Sequence, residues 1–298
     1  MSVVEKALQK ARAAQASAAA MPDGVPAKAD SNSQPAAPRT LADERSPDIS
    51  LDGATLRAAG LLPPVTEERR LSSQYRKIKR PLITNAVGSA AERLPNGYLI
   101  MLASAMPGEG KTFTALNLAL SIATEKDFSV LLVDADVAKP QLSRIFGMEE
   151  ELGLLDVLRD PQLDVNSVIR RTDISTLSFL PAGKNSPDAT ELLASNRMEE
   201  LARLLGERDG HRIVLFDTSP LIQTTESPAL MHVAGQILVV VRAESTPQPV
   251  LLDALATLQD HSAVSLMLNQ SMRSTTSAYY YYGYGEERSD RTKGPASE

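Results

Sequence analysis

Ala105-Met-Pro-Gly-Glu-Gly-Lys-Thr112 decides the fold of this 298-residue chain, because of what stands on either side of it. The apolar run Tyr98–Ala103 precedes it, and Phe113-Thr-Ala-Leu-Asn-Leu-Ala-Leu-Ser-Ile-Ala123 follows, with Leu116, Leu120 and Ala123 on one helical face. Strand, glycine-rich loop and helix in that order make a phosphate-binding loop. Gly108 and Gly110 let the backbone turn its amides inward around phosphate oxygens, at a helix N-terminus whose dipole favours an anion. Lys111 then reaches the β- and γ-phosphates and the Thr112 hydroxyl ligates Mg²⁺. Pro107, Gly108, Glu109, Gly110, Lys111, Thr112 and Phe113 are the expected nucleotide-binding stretch, with Ala105 where such loops carry their first glycine.

Working outward, short β-branched or Leu-rich runs recur at Ser129–Val133, Leu177–Leu180, Arg212–Phe216, Gln236–Val241 and Val264–Leu268, most of them separated by stretches long enough for a helix. Buried strands alternating with helices predict an α/β fold, a mostly parallel sheet flanked by helices. Val130-Leu-Leu-Val-Asp134-Ala-Asp136 ends one strand in two carboxylates, and Ile213-Val-Leu-Phe-Asp217 ends another in one. Acidic residues at the C-terminal ends of strands face the ligand edge of such a sheet. Asp136 also reads as a cap of the following helix. With the loop, these strands form a P-loop nucleoside triphosphatase constellation. Its cofactors are ATP and Mg²⁺, its catalytic candidates Lys111, Asp134, Asp136 and Asp217, and its metal candidates Thr112, Asp134 and Asp217.

Composition removes other classes. The chain has no Cys, which excludes disulfides, thiol catalysis and iron–sulfur clusters, and His211, His232 and His261 lack metal-ligand spacing. A formal net charge of −6 argues against a dedicated nucleic-acid partner, which needs a concentrated basic surface. Apolar runs such as Ile237 to Val241 fall far short of the roughly 20 residues of a membrane span, and the N-terminus lacks a secretory signal, so a cytoplasmic location is expected.

The expected organisation has four parts. In residues 1–65 an amphipathic helix over 3–20, either a docking segment or a frayed Ala-rich helix, leads into a disordered Ala/Ser/Pro-rich linker. A basic helix and lead-in occupy 66–97, with Leu71, Tyr75, Ile78 and Leu82 on one face and Pro81 limiting its extent; its charges read as a solvated face or as a subunit or membrane-surface contact. The nucleotide domain covers 98–272, and a tail covers 273–298. That tail holds five of the chain's seven tyrosines, Tyr279, Tyr280, Tyr281, Tyr282 and Tyr284.

The loop, the Asp-x-Asp strand and the terminal tyrosine cluster together resemble the bacterial tyrosine kinases of exopolysaccharide synthesis. The form is most similar to the separate autokinases of exosortase-linked loci. The resemblance covers about residues 70 to 285. The family's Asp-x-Asp-x-Arg-x-Pro stands here as Asp134-Ala-Asp136-Val-Ala138-Lys139-Pro140, with Ala138 in place of Arg. Pro187-Asp-Ala-Thr-Glu191-Leu-Leu-Ala-Ser195 is similar to a second family segment, with Asp188 and Thr190 as departures. The resemblance implies an ATP-dependent tyrosine autokinase that phosphorylates the five tail tyrosines, in a neighbouring subunit of a homo-oligomer, and an adenine contact by Asn269. It further implies a membrane-embedded polysaccharide co-polymerase as activator, a phosphotyrosine phosphatase, and a place peripheral to the inner membrane. In the family a Glu-x-x-Arg-x-x-Arg helix joins subunits into a ring; Ser73, Arg76 and Lys79 hold those places here, without the Glu. Two alternatives use the same fold: a regulatory ATPase of the partitioning or division-site type, whose signature Lys is replaced by Met106, and a non-catalytic nucleotide-binding scaffold.

Overall fold

Side chains of the central strands are buried on both faces, so their sequences read as continuous apolar runs rather than alternations. A computed structural model describes residues 47–207 and 211–271. Seven strands, β1 (Leu99–Ala103), β2 (Ser129–Ala135), β3 (Arg170–Arg171), β4 (Leu177–Leu180), β5 (Arg212–Thr218), β6 (Gln236–Arg242) and β7 (Val264–Asn269), form one sheet in the order β3-β4-β2-β5-β1-β6-β7. All neighbours are parallel except β3 and β4. The two-residue antiparallel β3 is too short to leave a signal in the sequence.

Helices cover both faces. Lys111–Ile122 and Glu68–Val87 pack over Ile100, Leu132 and Leu215 on one side. Leu154–Arg159 and Asn196–Glu207 cover Leu131, Val133 and Phe216 on the other. Gln248–Ala256 lies over Met101, Ile237 and Val239. Among the described residues no helix is long and apolar enough to cross a membrane. The N-terminal amphipathic helix, most of the linker and the tyrosine tail lie outside the described residues.

Two expectations meet a different outcome. The first concerns the end of the linker, where residues 47–62 form a strap on the core. Ile49 bridges to Thr172, and Leu51 N donates to Asp173 at 3.2 Å. Asp52 caps the Gly53–Ala58 helix through Thr55 N at 2.8 Å. Leu51, Leu56, Leu61 and Leu62 are buried, and Asn117 holds the Leu61 carbonyl at 2.8 Å. These apolar residues follow no period, so composition hides them.

The second concerns Pro81, where the Glu68–Val87 helix continues for another turn and a half. Pro81 removes one backbone donor, but the far half is pinned to β6 through Gln236. Its side chain accepts from Asn85 at 2.8 Å and donates to the Leu82 carbonyl at 3.0 Å.

Lys79 is buried on this helix, donating to the Ser121 carbonyl and Thr124 Oγ1 and pairing with Glu125 at 2.6 Å. Ser73 and Arg76 remain exposed. Lys79 therefore serves the protomer's own helix pair, and Ser73 and Arg76 are the exposed members of the set that the resemblance gives to a subunit contact. Lys79→Ala should lower stability in urea titrations by about 1.5–3 kcal/mol, the range for lost charged hydrogen bonds, with no change in the assembly's mass. A neutral stability change with a changed mass would put Lys79 at a subunit contact instead.

Candidate phosphate-binding site

The loop between β1 and the Lys111–Ile122 helix turns through two left-handed residues, Gly108 at φ 76° and Gly110 at φ 94°. Only glycine adopts that backbone without strain. At Gly110 a side chain would also collide with the Asn269 amide. The loop is braced from behind. Glu109, buried, accepts from Met106 N at 2.8 Å and from the Thr246 hydroxyl, and Asn269 donates to the Glu109 carbonyl at 2.8 Å. Asn269 at the end of β7 thus shapes the loop. Phe113 packs into the core below, and Lys111 donates to Ser104 Oγ at 3.0 Å.

β2 and β5 lie in parallel register with Asp134 directly beside Asp217, and both are fully buried. Asp134 Oδ2 accepts from the backbone and the hydroxyl of Ser143, each at 2.8 Å. Asp134 Oδ1 and Asp217 Oδ1 have no protein partner. Burial, then the neighbouring carboxylates, push Asp134 up to about 7 and Asp217 up to about 8, against a hydrogen bond from Thr112 to Asp217. Burial lowers Lys111, opposed by Asp217, Asp136 and Glu109. Asp136 is half-buried and also raised by burial, opposed by Lys111 and Lys139.

Lys111, Thr112, Asp136, Lys139 and Asn269 line one cleft of about 1740 Å³. That is more than the roughly 300–1000 Å³ a small ligand fills. Ala138 lines it with only a methyl group. The structure thus joins the loop, Asp136 and Asn269 in one cleft, with Asp134 and Asp217 beneath. The sequence reading missed Ser104, Ser143 and Thr246. Ser104 directly follows β1 and was legible as a loop residue, whereas Ser143 and Thr246 are common residue types without a pattern.

The arrangement fits a magnesium nucleotide. A glycine cradle excludes side chains where phosphate would lie, and Asp134 Oδ1 and Asp217 Oδ1 are buried without a protein donor, with the Thr112 hydroxyl on Asp217. Comparison with known proteins agrees on the class. The AAA_31 family, described as an AAA domain, matches residues 98–272, so the chain is a P-loop nucleotide-binding protein. It belongs to the bacterial tyrosine-protein kinase family. The tyrosine-protein kinase YwqD of Bacillus subtilis is 33% identical over 223 residues, 74% of this chain and 90% of that protein. The putative tyrosine-protein kinase EpsB of Ralstonia nicotianae is 34% identical over 63% of this chain, which spans only 24% of EpsB. Among solved structures, the VpsO kinase domain superposes with a TM-score of 0.56 at 26% identity, covering 69% of this chain and 98% of that one.

In metal-free protein, Asp134 and Asp217 keep their protons in the fold up to about 7 and about 8. The unfolded chain loses the same protons near 4. The native state therefore binds more protons between those limits, and stability falls as pH rises through the window. Thermal melts in EDTA should show this pair's contribution falling from pH 5 to pH 8, and Asp217→Asn should flatten the slope. A slope unchanged by Asp217→Asn would refute the protonated pair.

Proposed function

We propose that the chain is an ATP-dependent tyrosine autokinase that phosphorylates its tail residues Tyr279, Tyr280, Tyr281, Tyr282 and Tyr284, and that it acts in exopolysaccharide synthesis. The carrying observation is the pair of buried carboxylate oxygens without partners, on neighbouring Asp134 and Asp217, with Thr112 and Lys111 of the glycine loop's helix acting on Asp217. Family membership supports the reaction class, and the tyrosine cluster beyond β7 supplies acceptors on the same chain.

Each group has a part in the transfer. The loop amides and the Lys111 ammonium hold the β- and γ-phosphates. Thr112, Asp134 and Asp217 would hold Mg²⁺, which when bound neutralises phosphate charge. A bond forms between the tyrosine oxygen and the γ-phosphorus as the bond from that phosphorus to the departing ADP oxygen breaks. The phenol proton, with an ordinary pKa near 10, goes to a carboxylate. Asp136 suits that role better than Asp134, since it is half-buried on the cleft wall whereas Asp134 is enclosed and tied to Ser143. Asn269 would border the adenine side as well as brace the loop.

From the resemblance we further infer transfer between subunits of a homo-oligomer, a membrane-embedded polysaccharide co-polymerase as activator and a phosphotyrosine phosphatase as antagonist. The protein would work in the cytoplasm, peripheral to the inner membrane. Ala138 favours a second reading, a nucleotide-binding scaffold without transfer, because the cleft wall lacks the Arg that the resemblance leads one to expect.

Mass spectrometry after incubation with ATP and Mg²⁺ should find phosphate on the tail tyrosines. Lys111→Met should abolish it, and Asp136→Asn should slow it by about 10²–10⁴-fold, as loss of a general base does. Labelling that survives Lys111→Met would sink the mechanism. Nucleotide binding with no labelling of the unaltered chain would favour the scaffold.

A further inference from the structure

Among the described residues β7 is the outermost strand of the sheet on its side. Ile237 N donates to the Ala263 carbonyl and Ala243 N to the Asn269 carbonyl. With the period of a parallel ladder, odd-numbered residues of β7 therefore bond to β6. The N–H and C=O groups of Val264, Leu266 and Leu268 consequently point to the open edge. Leu266 and Leu268 are also 56% and 68% exposed. Sheets normally blunt such an edge with charge, proline or a cover, yet Val264-Ser-Leu-Met-Leu-Asn269 carries neither charge nor proline. Next to the strand, the cleft continues as a groove whose other wall is Lys77, Ile78 and Pro81 of the Glu68–Val87 helix.

The chain itself leaves β7 at this edge and turns there. Gln270 is left-handed at φ 56°, a conformation at home in turns, and Asn269 Oδ1 accepts from Gln270 N at 2.9 Å. Nine residues, Gln270 to Ala278, separate β7 from Tyr279-Tyr-Tyr-Tyr-Gly-Tyr284, a stretch of the same six-residue length rich in a strongly strand-forming residue.

We propose that in the unmodified chain Tyr279–Tyr284 docks on the free edge of β7 as an antiparallel eighth strand. Backbone hydrogen bonds to Leu266 and Leu268 supply affinity, as in other strand additions. Alternation then sorts the tyrosines. In any register one alternate set covers Leu266 and Leu268, and the other meets Met267 and the groove wall of Ile78 and Pro81. Where the kinase reading holds, phosphate on the set against the leucines must give up its water, so modification releases the strand. Docking itself rests on the edge and the tail, not on catalysis.

Hydrogen exchange on the full chain without ATP tests it. The amides of Leu266 and Leu268 should exchange at least about tenfold more slowly than in a full-length variant with Tyr279, Tyr280, Tyr281 and Tyr282 all replaced by Ser. Equal rates in the two proteins would overturn the proposal, and protection that grows with protein concentration would overturn it by giving the edge to a second copy. Leu266→Thr with Leu268→Thr, which keeps strand preference and removes the apolar clamp, should speed exchange of the tail amides; unchanged tail exchange would count equally against docking. Failure of the kinase reading would appear separately, as absent phosphate in the mass spectrum.

Discussion

Two carboxyl groups, Asp134 and Asp217, stand side by side on adjacent parallel strands with no solvent around either. A protein interior tolerates such a pair only if protons or cations offset the charge, and each oxygen without a donor adds to the cost. Much of the ligand end of the sheet answers that constraint. Ser143 gives Asp134 two hydrogen bonds, Thr112 gives Asp217 one, and Lys111 brings a positive charge from the first turn of the following helix. The remaining unpaired oxygens, Asp134 Oδ1 and Asp217 Oδ1, are the part of that cost which no protein donor offsets.

The loop above them keeps its shape through contacts remote in sequence. Glu109 reaches Thr246 after β6, and Asn269 at the end of β7 reaches back to the Glu109 carbonyl. Because the order β5-β1-β6-β7 sets those strand ends next to one another, sheet topology and loop geometry are one problem. The glycines admit the turn, while the residues arriving from β6 and β7 select it. Asn269 in this role could not be inferred from a nucleotide-binding motif read alone.

Most of this arrangement was legible where residue type and local period carry the information. Gly108, Gly110, Lys111 and Thr112 stand between an apolar strand and an apolar helix face, and the acidic strand ends announce their edge of the sheet. What escaped reading depends on long-range contact. Ser143 is one serine among many until Asp134 lies 2.8 Å away. Lys79 sits in a run of cations that reads as a solvated face, yet its ammonium is enclosed by the helix crossing it. Pro81 looks like a terminator because the side chain that holds the next turn, Gln236, belongs to β6.

The strap of residues 47–62 carries the packed core past the boundary that composition draws. The family match starts at residue 98, and composition draws a boundary near 65. Leu51, Leu56, Leu61 and Leu62 nevertheless belong to the same apolar cluster as Leu116 and Leu132, and Leu61, Leu62 and Pro63 form part of the cleft wall. A fragment trimmed to the recognisable domain would therefore lose a side of the cleft along with part of its core. The strap also touches the sheet's far margin at Thr172 while its other end borders the cleft. It is a girth around one flank of the protein, so the sheet margin at Thr172 and the wall of the cleft share a single piece of backbone.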